Sequence, residues 1–315
     1  MSILLAMSEW DEAAWRARLS KTLPRHPVVT PGEPFDRAAI RYALCWRHPP
    51  SSLAGLPNLQ VIFSLGAGVD HLFADPDLPE GHPIVRIVDS DLRDRMSEWV
   101  VMHALVHLRQ LRRYERQQRE RVWADDRDQP KAADVQVGVL GLGVLGLDAA
   151  AKLRAIGFAV AGWRTTPKAI PGMDCFAGPD GLKSLLRRTD MLVVLLPLTR
   201  DTRGLLNASL FAGLKQGGPL GGPVLINGGR GGLQVEADIL AALDSGVLKG
   251  ASLDVFEREP LPPGSRLWTH PSVYVSPHNS AISIPAAIVA AIAAQIAAFE
   301  RGEPLRNLVD RGRGY

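Results

Sequence analysis

Cysteine is scarce in this chain: Cys45 and Cys175 are the only two in 315 residues, they lie far apart, and neither belongs to a Cys-x-x-Cys pattern. That excludes a disulfide framework and a thiolate zinc site, and it fits a reducing, cytoplasmic compartment. A strong excess of one charge is also missing. The formal net charge is +3, so the pI near 9.0 reflects a modest surplus of arginine, and no polyanionic partner is implied. Long hydrophobic runs are absent too. The longest apolar stretch, residues 284–299, is alanine-rich, carries Gln295 and falls short of the ~20 residues of a membrane span, so it is expected to be a packed helix and no membrane association is expected. The short apolar run at residues 3–7 has no basic start and is followed at once by Glu9 and Asp11, which argues against a secretory signal. No internal repeat is evident.

What remains is a chain with 46% hydrophobic and 22% charged residues, enough to bury a large core in one large or two ordinary domains. Its first third alternates candidate strands (3–7, 42–46, 61–65) with helical segments (around 10–19), the pattern of a parallel sheet with crossover helices. The turn Gly66-Ala67-Gly68 follows the third of these strands, at the carboxyl end where open parallel sheets gather ligands. Residues 97–122 read as one long helix with an apolar stripe of Trp99, Met102, Leu105, Val106, Leu108 and Leu111, ended by polar residues and Pro130. Further strand candidates at 135–140, 159–163, 191–196, 224–227, 250–254 and 273–275 are mostly separated by helical patterns, which describes a complete doubly wound domain. The Gly/Pro-rich segment 217–223 reads as a loop.

The run Gly141-Leu142-Gly143-Val144-Leu145-Gly146 follows the 135–140 strand and opens a helix over 144–156, the context a dinucleotide-binding turn requires. Its first glycine allows the tight turn, the second lets a pyrophosphate approach the backbone, and the third lets helix and strand pack closely. The tip of the next strand selects the dinucleotide, because an acidic residue there binds the ribose hydroxyls of NAD. Here it reads Trp163-Arg164-Thr165-Thr166-Pro167-Lys168, with no carboxylate and with donors and charge suited to a 2′-phosphate. NADPH/NADP is therefore the expected cofactor, with NADH a weaker alternative.

Three later stretches each follow a strand: Asn227-Gly228-Gly229-Arg230, Asp254-Val255-Phe256-Glu257-Arg258-Glu259-Pro260, and Ser276-Pro277-His278-Asn279. Together with the glycine-rich turn and Gly66-Ala67-Gly68-Val69-Asp70, they resemble the D-isomer-specific 2-hydroxyacid dehydrogenase family over nearly the whole chain. Within that family, the match is nearest the branch that reduces glyoxylate and hydroxypyruvate, on the further evidence of Trp46, Glu259-Pro260-Leu261-Pro262-Pro263 and the ending Val309-Asp310-Arg311-Gly312-Arg313-Gly314-Tyr315. The resemblance implies a two-lobed α/β fold: a flavodoxin-like substrate domain over residues 1–97, completed by 284–315, and a Rossmann-type, doubly wound dinucleotide-binding domain over 98–283, with a cleft between. It also implies that Arg230 binds substrate, that Glu259 and His278 form the acid/base pair, and that Trp46, Ala67 and Gly68 contact the substrate. Cofactor contacts are implied for residues Gly141, Leu142, Gly143, Val144, Leu145, Gly146, Trp163, Arg164, Thr165, Pro197, Thr202, Asn227, Gly228, Gly229, Asp254 and His278, as is a homodimer in which Trp123 meets the partner.

Elementary chemistry supports the same roles. Reducing a 2-keto acid needs a hydride, a proton for the carbonyl oxygen and a cation to hold the carboxylate. Histidine is a natural proton donor, a carboxylate stabilises its charged form, and arginine presents paired planar donors to a carboxylate. Each residue alone has a plainer reading: Glu259 as a solvated charge, Arg230 as a loop brace, Trp46 as core. The arginines from Arg109 to Arg121 are interrupted by Glu115, Gln117, Gln118 and Glu120 and read as a solvated face, with no nucleic acid expected. His103 and His107 have metal-pair spacing without a third ligand and read as helix packing, so no metal is expected. Gly228-Gly229 suggests a locally flexible backbone. Rival readings are a D-lactate- or phosphoglycerate-type dehydrogenase, the latter weakened by the lack of an appended regulatory domain, and a non-catalytic dinucleotide-sensing interaction protein.

Overall fold

The computed structural model describes residues 1–315. The chain divides into two compact units, Met1–Leu92 with Ser283–Tyr315, and Arg93–Ile282.

The first unit is built on five parallel strands. Its elements are β1 (Ser2–Met7), α1 (Glu12–Thr22), β2 (Val28–Val29), β3 (Ile40–Trp46), β4 (Val61–Ser64), α2 (Asp70–Phe73) and β5 (Ile84–Val85). The sheet order is β2-β1-β3-β4-β5, the flavodoxin-like order. β1 is buried along its whole length because it faces core on both sides. Ile3, Leu5 and Met7 join Trp15 and Leu19 on one face, and Leu4 and Ala6 join Leu53 and Leu59 on the other. Asp11 caps α1 by accepting the amide of Ala14.

The second unit opens in α3 (Ser90–Leu108), whose first residues belong to the first unit, and continues through α4 (Leu111–Glu120), β6 (Gln136–Leu140), α5 (Val144–Ile156), β7 (Ala159–Arg164), β8 (Asp174–Ala177), α6 (Gly178–Leu186), β9 (Met191–Val194), α7 (Ala208–Ala212), β10 (Val224–Asn227), α8 (Glu236–Asp244), β11 (Gly250–Leu253) and β12 (Val273–Val275). All seven strands are parallel in the order β12-β11-β10-β9-β6-β7-β8, a Rossmann order extended by one strand. Side chains alternate along each strand. In β9, Met191 and Val193 face α3 and α5, while Leu192 and Val194 face α6, α7 and α8. The alanine-rich α9 (Pro285–Glu300) buries Ile288, Val289, Ile292 and Ile296 in the core of the first unit, where Glu300 also meets His26 at 2.8 Å.

Two sequence expectations need correction. Residues 97–122 are not one helix: Gln110 adopts a left-handed backbone (φ 54°) between α3 and α4, and Gln110 and Arg113 both bind Asp126 of the following loop. The short strands β2, β5 and β8 escaped the periodicity reading because each is only two to four residues long, at or near a sheet edge. No helix is long and apolar enough to cross a membrane.

Candidate active site

The three glycines of the β6–α5 turn do three different jobs. Gly141 has φ +98°, and a β-carbon there would sit 2.6 Å from the Leu195 carbonyl oxygen. A β-carbon on Gly146 would fall 1.8 Å from the carbonyl oxygen of Gly141, so only glycine lets the helix lie this close to the strand. Gly143 instead faces open space, with nothing within 4 Å of such a carbon. It also precedes a 13-residue helix that no side chain caps, leaving the first-turn amides of Val144, Leu145 and Gly146 to another acceptor. An open glycine at an uncapped helix N-terminus fits a pyrophosphate. Leu142 is buried beneath the turn.

At the tip of β7, the Trp163 indole lies in the core and donates to the Gly178 carbonyl at 2.8 Å, so its side chain is committed to packing. Arg164 is half-buried and Thr165 and Thr166 are exposed, a cationic strand end with no carboxylate. The Thr202 hydroxyl donates to the Pro197 carbonyl and accepts the Thr199 amide, both at 2.8 Å, so it closes its own loop. Asn227 is fully buried. Its amide group donates to Gln234 at 2.8 Å and its oxygen accepts the Gly229 amide at 3.0 Å. Gly228 and Gly229 are tightly enclosed rather than loose. A β-carbon would come within 3.0 Å of Met96 Sδ at the first and 2.9 Å of Leu233 at the second, so close packing, not flexibility, requires these glycines.

β10, β11 and β12 are parallel neighbours in register, pairing Asn227 with Leu253 and Leu253 with Val275. Their carboxyl ends therefore deliver Arg230, Asp254 and His278 to the same edge of the sheet, on loops from adjacent strands. His278 Nδ1 lies 2.8 Å from Glu259 Oε2, and Glu259 Oε1 accepts the Phe256 amide at 3.1 Å. The His278 side chain is 32% exposed and that of Glu259 is 19% exposed, so the histidine is the more accessible of the pair. With Nδ1 facing a carboxylate, Nε2 is the nitrogen left for exchange with a substrate. Arg230 Nη1 also donates to the Gly229 carbonyl at 2.8 Å. Asp254 is fully buried and accepts hydrogen bonds from Ser276 and from the Asn279 and Ser280 amides. Ser276 and its donor Trp99 carry no sequence signal for this role: the two are 177 positions apart and meet only in the folded chain.

In the first unit, Trp46 forms the end of a stack of indoles. Its ring lies 4.8 Å from Trp10, which lies 5.4 Å from Trp15, both pairs within 12° of parallel. The same ring covers Gly66, where a β-carbon would come within 2.3 Å of it. The turn that carries Ala67 and Gly68 is braced from below by Ser64, whose hydroxyl lies 3.1 Å from the Gly66 and Gly68 carbonyls and 3.2 Å from His71 Nε2. His103 and His107 are packed along α3 against Tyr274, and His107 Nε2 lies 2.8 Å from the Ser252 hydroxyl.

Residues 101–280 match the model of the D-isomer specific 2-hydroxyacid dehydrogenase NAD binding domain. Over its full length, and over all of the relative, the chain is 38% identical to glyoxylate/hydroxypyruvate reductase A of Serratia proteamaculans. Among solved structures it is similar to an NADPH-dependent glyoxylate/hydroxypyruvate reductase from Sinorhizobium meliloti in complex with NADP and sulfate, at 50% identity and TM-score 0.93 with both chains fully covered. It is likewise similar to a probable 2-hydroxyacid dehydrogenase from Rhizobium etli in complex with NADP, HEPES and L(+)-tartaric acid, at 44% identity and TM-score 0.94, covering 100% and 99% of the two chains. A glycine turn shaped for a dinucleotide, a histidine–carboxylate pair at the sheet edge and these full-length likenesses agree: the chain belongs to the D-isomer specific 2-hydroxyacid dehydrogenase family.

Proposed function

We propose that this protein uses NADPH to reduce small 2-keto acids, glyoxylate to glycolate and hydroxypyruvate to D-glycerate. The observation that carries the reading is the His278–Glu259 pair at 2.8 Å, on a loop beside those of Asp254 and Arg230 at the carboxyl edge of a dinucleotide-binding sheet. The reductase names of the relatives support it. The second unit is the cofactor domain, with Gly141 to Gly146 around the pyrophosphate and Arg164 and Thr165 at the 2′-phosphate. Loops ending at Pro197, Thr202, Asn227 to Gly229 and Asp254 frame the rest. The first unit is the substrate domain, in which Trp46, Ala67 and Gly68 meet the acid.

When bound, the nicotinamide supplies the hydride. Arg230 pairs its planar donors with the substrate carboxylate and fixes the angle of the carbonyl. His278, charged and supported by Glu259, gives the Nε2 proton to the carbonyl oxygen, which becomes the hydroxyl, and the histidine is left neutral. A homodimer, with Trp123 at its interface, is part of the same proposal.

The test is the initial rate of absorbance loss at 340 nm with glyoxylate, hydroxypyruvate, pyruvate and phenylpyruvate, each with NADPH and with NADH. Faster NADPH oxidation with the first two acids is expected, and His278→Ala should lower kcat by roughly 10²–10⁴-fold. A D-lactate-type enzyme would prefer pyruvate. Folded protein that binds dinucleotide but turns over none of the four acids would leave a binding role instead.

A further inference from the structure

We propose that Ser276, held by the indole of Trp99, is a positioning residue for His278, acting through the buried carboxylate of Asp254. The inference rests on the reading of His278 as the proton donor. His278 has a left-handed backbone, φ +51°, a conformation that a β-carbon disfavours and that persists only where the surroundings impose it. Hydrogen bonds to Asp254 impose it from both sides of the residue. The His278 amide donates to the Asp254 carbonyl at 2.8 Å. The Asn279 and Ser280 amides donate to Asp254 Oδ1 at 3.0 and 3.1 Å, and that of Ser280 also reaches Oδ2 at 3.1 Å.

The carboxylate that gathers the Asn279 and Ser280 amides is fully buried and must itself be fixed. Trp99 Nε1 lies 3.1 Å from Ser276 Oγ, which lies 2.6 Å from Asp254 Oδ1. The direction of this chain is set by chemistry. An indole N–H can only donate, so Ser276 accepts from Trp99, and its single hydroxyl hydrogen is left for the carboxylate. A hydroxyl–carboxylate bond of this length is a strong, charge-assisted one. α3 thus holds β12, β12 holds the end of β11, and the end of β11 holds the loop that sets His278 Nδ1 against Glu259.

Removing the Ser276 hydroxyl should let the loop relax and misplace the imidazole while leaving in place Arg230, the Gly141 to Gly146 turn and Arg164, which supply most of the binding to substrate and cofactor. In the full-length protein, Ser276→Ala is expected to lower kcat by about 10- to 100-fold. The glyoxylate KM and the NADPH Kd should stay within about twofold, because the lost interaction belongs to the chemical step. Ser276→Thr, which keeps the hydroxyl, should recover most of the rate, and Trp99→Phe should lose part of it. Amide hydrogen exchange should quicken in the peptide covering residues 278–282 of Ser276→Ala and not in the helices. Wild-type kcat and exchange in Ser276→Ala would overturn the proposal, as would a loss confined to KM or a Ser276→Thr no better than alanine. A wild type inactive on every keto acid would sink the functional reading, and exchange at residues 278–282 would then decide the clamp on its own.

Discussion

Arg164 stands where NAD-binding relatives of this fold place an acidic residue, and the physical difference is a sign of charge. A guanidinium at the tip of β7 favours a 2′-phosphate, whereas a carboxylate would repel it. Losing charge-assisted hydrogen bonds costs about 1.5–3 kcal/mol, so Arg164→Ala should raise the KM for NADPH by roughly 10- to 100-fold and leave that for NADH nearly unchanged. Steady-state kinetics with both cofactors checks this, and an equal rise for both would move the origin of the preference away from Arg164. At this scale the glycines were the most legible feature of the chain. The requirement at Gly146 comes from the Gly141 carbonyl in the same turn and that at Gly141 partly from its own positive φ, so the local spacing announces both, although Leu195, which also crowds Gly141, is remote in sequence. Gly228 and Gly229 misled for the opposite reason: their crowding comes from Met96, Leu196 and Leu233, only the last of which is near in sequence.

Among the elements, α3 is packed through its histidines against the strands that end at the site. Burial holds His103 down to about 4, against a weaker upward pull from Asp254. Burial, reinforced by His103 and Arg112, holds His107 down to about 3. Both groups bind protons more readily in the unfolded chain. Their contribution to stability is therefore complete above the ordinary histidine value near 6.5 and is lost as pH falls toward 4 and then 3. Melting temperature should fall across that window. His103→Phe keeps the ring between Trp99 and Tyr274 and removes one titration, so the fall should be shallower, by an amount on the order of 1–3 kcal/mol at the acid end. Thermal melts of the two proteins from pH 7 to pH 4 make the comparison, and parallel curves would show that the buried histidine is not the source. The break after α3 had no glycine or proline to mark it, because Asp126, 16 residues beyond Gln110, is what receives the Gln110 side chain.

For the whole molecule, the conspicuous surface feature is Trp123, 99% exposed beside Val122 at 49% in the segment after α4. An indole left entirely in water is the kind of anchor that dominates subunit interfaces. In the proposed homodimer, Trp123→Ala should weaken association by about 2 kcal/mol, roughly 30-fold in Kd, which sedimentation velocity across a dilution series measures. A variant as dimeric as the wild type would remove Trp123 from the interface.

By itself the sequence determined what depends on neighbours along the chain: the buried parallel strands, the glycine turn with its helix, and the identity of the residues that follow each strand. The register of the strands in each sheet, the packing of α3 against β12 and the linkage from Trp99 through Ser276 to Asp254 were decided only by the tertiary structure. The reason is that hydrophobic periodicity records which face of an element is buried and not against what. A hydrogen bond between residues 99 and 276 exists only after packing has brought α3 to β12.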